Sequence, residues 1–167
     1  VKVPVKLISE GRTREEAEGI LRDEYFVSPE KAALAIETAE ASIRAKESLE
    51  KNDVSLYVGI PFCPTRCSYC SFVSSSVQKS LGLIEPYLEA LFKEIEAAAR
   101  LVQEAGLRIV TVYIGGGTPT TLNALQLEAL LTKLRREFDF SSVREFTVEA
   151  GRADTIDEDK LRAIKAG

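Results

Sequence analysis

The 167-residue chain predicts an α/β fold in which parallel strands alternate with helices. Short runs of branched, aromatic and other apolar residues recur at 54–60, 108–114 and 144–149. Longer stretches with helical periodicity follow each of them, at 83–105, 124–138 and 157–166. The strand runs are nearly continuously apolar, as expected where both faces of a sheet are covered. Strand–helix–strand order implies right-handed crossovers, and loops that follow strand C-termini then share one edge of the sheet.

Ahead of this pattern the chain reads as a helical region, 1–53. Thr13 and Glu16 have capping-box spacing and open a helix over 13–26, with Ala17, Ile20, Leu21 and Tyr25 as its apolar face. Ser28 with Pro29 opens a second helix to about residue 50, striped by Ala32, Ala35, Ile36, Ala39 and Ile43. Lys51, Asn52 and Asp53 are a polar break. From residue 54 the strands begin. A loop rich in Pro, Ser and Cys spans 61–76, Gly106 ends the first long helix, and a glycine loop occupies 115–121. Asp157 caps the last helix, which closes on Gly167.

Composition narrows the chemistry. The net charge of −4 argues against a basic nucleic-acid surface. The chain has no His, which removes Ser–His and Cys–His nucleophile pairs and His metal ligands. No apolar run is long enough to span a membrane, and no signal peptide is evident. Three Cys within eight residues suit a disulfide framework poorly, and a cytoplasmic setting fits them.

Cys63, Cys67 and Cys70 form C-x3-C-x2-C. Three thiolates on one short loop suit an inorganic centre. Structural zinc wants four ligands, and iron–sulfur clusters usually take four Cys. Three leave one position open, or leave a ligand to come from elsewhere. The alternatives are a zinc site completed outside this segment, or three small buried Cys. The run Gly115-Gly116-Gly117-Thr118-Pro119 allows close backbone approach to a ligand, or is an ordinary tight turn. Glu149 ends the third strand beside Gly151, placed to meet a ligand or simply exposed. Tyr57 and Phe72 read equally as packing aromatics.

In combination these motifs carry a resemblance. Cys63-x3-Cys67-Ser68-Tyr69-Cys70 resembles the signature of radical S-adenosylmethionine (SAM) enzymes. In that superfamily the three Cys hold a 4Fe–4S cluster whose open iron is chelated by SAM. One electron cleaves SAM to methionine and a 5'-deoxyadenosyl radical, which abstracts hydrogen from substrate. The wider run Tyr57-Val58-Gly59-Ile60-Pro61-Phe62-Cys63 is similar to the oxygen-independent coproporphyrinogen III oxidases and their haem-chaperone relatives. Most of that family carries His where this chain has Gly59. The departure resembles one subgroup, the coproporphyrinogen dehydrogenase-like proteins.

The resemblance covers 54–167 and implies the first half of a (β/α)6 TIM-like partial barrel, about three βα units, with more chain expected after Gly167. It implies cluster ligation by Cys63, Cys67 and Cys70, and SAM binding by Gly115, Gly116, Gly117, Thr118 and Glu149. Tyr57 would lie near cluster and SAM, and the Phe72 backbone would meet the adenine. It further implies oxidative decarboxylation of coproporphyrinogen III to protoporphyrinogen IX in haem biosynthesis, with flavodoxin or ferredoxin as electron donor. Its alternative is a haem-binding chaperone without decarboxylase activity. Residues that recognise the porphyrinogen are expected beyond Gly167.

Overall fold

The computed structural model describes residues 1–71, 75–76 and 81–167. It divides into two compact units, Val1–Lys51 and Asn52–Gly167.

The first unit contains α1 (Lys2–Ser9), α2 (Arg14–Asp23) and α3 (Pro29–Glu47). The capping box forms as its spacing predicts. Thr13 Oγ1 accepts from the Glu16 amide at 3.2 Å, and Glu16 Oε2 accepts from the Thr13 amide at 2.9 Å. Ser28 accepts from the Lys31 amide, with Pro29 in the first turn. Ala17, Leu21, Ala32 and Ile36 are the buried centre, and Val3, Leu7 and Ile8 of α1 close over it. Two details refine the expected helical region. Lys2–Ser9 forms a helix of its own, its apolar residues spaced to meet α3. And α2 stops at Asp23, so Tyr25 lies past the helix and half of its surface is exposed; the turn is made by Phe26 at φ 53°.

The second unit is the α/β body. Its elements are β1 (Asp53–Ile60), β2 (Phe62–Cys63), β3 (Ser75–Ser76), α4 (Ile84–Glu104), β4 (Arg108–Gly116), α5 (Ala124–Glu137), β5 (Glu145–Val148) and α6 (Glu158–Ala166). The main sheet has the order β1-β4-β5 and is parallel throughout, and β2 pairs with β3, also in parallel. Gly106 ends α4 at φ 61°, with the Leu107 amide donating to Val102 and the Gly106 amide to Gln103, a Schellman closure. Asn123 and Gln126 make a capping box for α5, and Asp157 accepts from the Lys160 amide to open α6.

Strand alternation sends Val58, Ile60, Val112 and Ile114 to one face, where α4 (Leu88, Leu91, Ile95) and α5 (Leu127, Leu130, Leu131, Leu134) bury them. The opposite face differs from the sequence expectation of two covered faces. Tyr57, 60% exposed, and Tyr113, 37% exposed, lie on it side by side in register, with the Ser55–Thr111 pair one step below. Periodicity alone missed this because Tyr and Thr suit a strand whether or not its face is covered. β4 also runs two residues further than its apolar run: Gly115 pairs with Gly59 and Gly116 with Ile60. The ladder uses only backbone groups, so losing side chains does not end it.

Candidate functional site

Three loops leave the C-terminal edge of the sheet: the cysteine loop after β1, the glycine loop after β4, and the turn after β5. The first two are braced through backbone. The Gly117 amide donates to Ile60 O at 2.7 Å and the Thr118 amide to Phe62 O at 2.8 Å. Thr121 Oγ1 adds a bond to Phe62 O, and buried Thr118 Oγ1 reaches Cys63 Sγ at 3.5 Å. Gly116 takes φ 108°, and a Cβ on it would sit 3.2 Å from the Ile60 backbone. A Cβ on Gly117 would sit 2.6 Å from Phe62 O. The glycines therefore let one loop lie directly on the other.

The third loop locks onto both. Thr120 and Thr155 are buried, with their hydroxyls 2.6 Å apart, and Lys160 Nζ donates to both of their carbonyls. Arg152 reaches the cysteine loop. Its guanidinium donates to Thr65 O at 3.0 Å, to Thr65 Oγ1 at 2.9 Å and towards Cys67 Sγ at 3.5 Å, while Asp154 accepts on its other side. The Asp154 hydrogen bond holds the Arg152 pKa above its usual value, aided by the nearby Cys67 and Cys63 sulfurs, and Arg152 holds Asp154 below the usual carboxylate range.

Between the loops lies a cavity of about 880 Å3. Cys63, Cys67 and Cys70 line it, as do Tyr57, Gly116, Gly117, Thr118 and Glu149. Of the residues singled out in the sequence, Gly115 is not among the lining residues. It lies below, where a Cβ would meet Tyr113 Cε1 at 2.6 Å and Glu149 Oε2 at 3.0 Å. Phe72 lies outside the described residues. Cys63 is buried, Cys67 and Cys70 are half-buried, and Tyr69 is exposed. Tyr57 is not a core aromatic: it stacks on Tyr113 at 5.9 Å and 11° as one wall of the cavity. Among the described residues, Arg66, in the same loop, reaches the Cys70 carbonyl at 3.5 Å.

Sequence reading passed over Arg152, Thr155, Lys160 and Tyr113. The available signal was the polar, charged composition of the turn after the third strand, which resembles any solvated helix start.

Glu149 accepts from the Tyr113 hydroxyl at 2.5 Å. That hydrogen bond is the main reason the Tyr113 pKa lies above the usual tyrosine value, with smaller contributions from desolvation and the carboxylate charge. Tyr113 is therefore expected to ionise above the usual tyrosine range in an ultraviolet pH titration, as is Tyr87, which burial pushes up. Tyr113→Phe should remove one tyrosine's share of the high-pH end of the curve, leaving that of Tyr87, and Glu149→Gln should move the Tyr113 share to lower pH. An unchanged high-pH end in Tyr113→Phe would contradict the assignment.

Among the described residues, no three His, Cys, Asp or Glu side chains converge to hold a single metal ion. A cubane cluster asks for something else. Each thiolate takes its own iron, so the ligands ring a bulky group instead of meeting at a point. Three thiols lining one cavity, with Arg152 among the residues that line it, fit such a group.

The radical SAM superfamily profile matches residues 57–167, and the chain belongs to that superfamily, whose members use a 4Fe–4S cluster and S-adenosylmethionine. It is 37% identical over 162 residues to the oxygen-independent coproporphyrinogen-III oxidase-like protein HemZ of Bacillus subtilis, covering 95% of this chain and 32% of that one. It is 42% identical over 104 residues to the heme chaperone HemW of Lactococcus lactis, covering 62% of this chain and 25% of that one. The solved structure of Escherichia coli coproporphyrinogen III oxidase HemN, a radical SAM enzyme, aligns with a TM-score of 0.60 at 34% identity, covering 76% of this chain and 28% of that one. The chain thus spans about a third or less of these relatives' lengths. Among the described residues, no helix is long and apolar enough to cross a membrane.

Proposed function

We propose that this chain is the cofactor-binding part of a radical SAM oxidoreductase that oxidatively decarboxylates coproporphyrinogen III to protoporphyrinogen IX. One observation carries the reading: Cys63, Cys67 and Cys70 share a single cavity with Gly116, Gly117, Thr118 and Glu149 at the C-terminal edge of a parallel sheet. Its similarity to HemZ and HemN supports the substrate class.

The three Cys would hold the 4Fe–4S cluster, and the glycine loop with Glu149 would orient SAM, its carbonyls and carboxylate being suitable acceptors for the ammonium group. The cluster, when bound, supplies the electron for reductive cleavage of SAM. The Tyr57–Tyr113 wall would shield the ligand on its open side. At each reacting propionate, loss of a hydrogen atom to the 5'-deoxyadenosyl group of SAM, of carbon dioxide, and of an electron to an external electron acceptor would leave a vinyl group. A flavodoxin or ferredoxin would supply electrons from outside.

Anaerobic incubation of the reconstituted full-length protein that contains this chain with SAM, a reductant and coproporphyrinogen III tests this. Protoporphyrinogen IX and carbon dioxide are expected, with SAM consumed in proportion. SAM consumption without decarboxylated product would end the oxidase reading. The similarity to HemW favours a second reading, a haem-binding chaperone on the same scaffold, and stoichiometric binding of haem added to the same protein would support it.

A further inference from the structure

We propose that Arg152 is a positioning residue for the cluster: it anchors the cysteine loop and donates an N–H···S hydrogen bond to Cys67. The inference rests on the reading of Cys63, Cys67 and Cys70 as cluster ligands. Its own basis is the geometry of one side chain.

Arg152 sits in the turn after β5 and reaches back 87 residues along the chain to Thr65 and 85 to Cys67. Two of its nitrogens grip Thr65, one on the carbonyl and one on the hydroxyl. Asp154 holds the guanidinium from behind at 3.2 and 3.3 Å. The side chain is only 23% exposed, so its charge acts through less water than a surface arginine's. Thr65 lies between Cys63 and Cys67, so fixing it sets how those two sulfurs are presented. Among the described residues, Arg66, in the loop itself, makes a long contact to the Cys70 carbonyl and does not grip Thr65 or a cysteine sulfur.

The electrostatic sign is definite. A cluster bound by three thiolates is anionic and gains one more negative charge on reduction. A fixed cation with a hydrogen bond to a ligand sulfur stabilises the reduced form more, and so raises the reduction potential. Removing the cation lowers it. Loss of the grip on Thr65 should also let the cluster escape sooner.

The test uses anaerobically reconstituted protein, with the midpoint potential read by electron paramagnetic resonance and cluster loss timed under an iron chelator. Arg152→Gln is expected to shift the potential negative and to release iron about tenfold faster. Arg152→Lys keeps the charge without the planar fork, so it should recover more of the potential than of the retention. Thr65→Val should speed release while leaving the potential near that of the parent, and it carries the test if Arg152→Gln does not load. A potential and a release rate in Arg152→Gln equal to the parent's would overturn the proposal. A tenfold loss of SAM affinity with both of those unmoved would also overturn it, assigning the guanidinium to the SAM carboxylate. Failure of the parent protein itself to load iron and sulfide would overturn the ligand reading beneath it, an outcome recognisably different from the other two.

Discussion

Cys67→Ala is expected to abolish the cluster. Reconstituted with iron and sulfide under anaerobic conditions, the parent protein should carry about four irons per chain and a broad visible absorption that bleaches on reduction. Two thiolates cannot replace three, because the open iron already lacks a protein ligand. Cys67 also has a second role in the loop, since Arg152 points at its sulfur from 3.5 Å. Cys67→Ser separates the two effects. A hydroxyl keeps a hydrogen-bond acceptor for Arg152 but is a poor substitute for a soft thiolate. If Ser behaves as Ala does, ligation and not loop anchoring is what was lost. Persistence of the absorption in Cys67→Ala would remove Cys67 from the ligand set, and one zinc per chain in the parent would replace the cluster with a structural metal.

Gly117→Ala is expected to break the joint between the two loops. The added methyl would lie 2.6 Å from Phe62 O and 2.9 Å from Ile60 O. Both are backbone atoms and cannot rotate away. The chain must separate there, at the cost of the hydrogen bonds from the Gly117 and Thr118 amides. Overpacking of this kind costs about 1–3 kcal/mol. The denaturation midpoint should fall accordingly, and iron uptake should fall with it, because Cys63 follows Phe62 directly. Gly151→Ala is the control. It meets nothing within 4 Å, so its stability should stay within about 0.5 kcal/mol of the parent. Parent-like midpoint and uptake in Gly117→Ala would show that the joint is looser than its geometry.

The parts of the fold legible in the sequence were those with a local cause. Thr13 with Glu16, Ser28 with Pro29, and Gly106 at its positive φ each sit where a cap requires them. The three strands were legible as apolar runs. The C-terminal end of β4 was not, since the β1–β4 ladder continues through Gly115 and Gly116, which no propensity would extend. The cavity was legible in its motifs, Cys63, Cys67, Cys70 and the glycine run, because those residue types are rare in that order. What surrounds them was hidden. Arg152 is a single charged residue in a polar turn, and only three-dimensional proximity ties it to Thr65. Likewise Tyr113 reads as a buried strand residue until the open sheet face is seen.

The joint between Gly117 and Ile60 also bears on how the protein is made. Eight residues contain all three Cys, so the ligand set looks like a local motif that a nascent chain could fill at once. Yet the stem of that loop is hydrogen-bonded to residues more than fifty positions later: Ile60 to Gly117 and Cys63 to Thr118. Bringing them together means closing a loop that contains the whole of α4 and β4, which is a late, non-local event. On the proposed ligation, metal delivery would then wait for the sheet. A chain that met iron and sulfide before β4 had docked would offer three unrestrained thiols, open to disulfide exchange or oxidation, in place of a shaped receptacle.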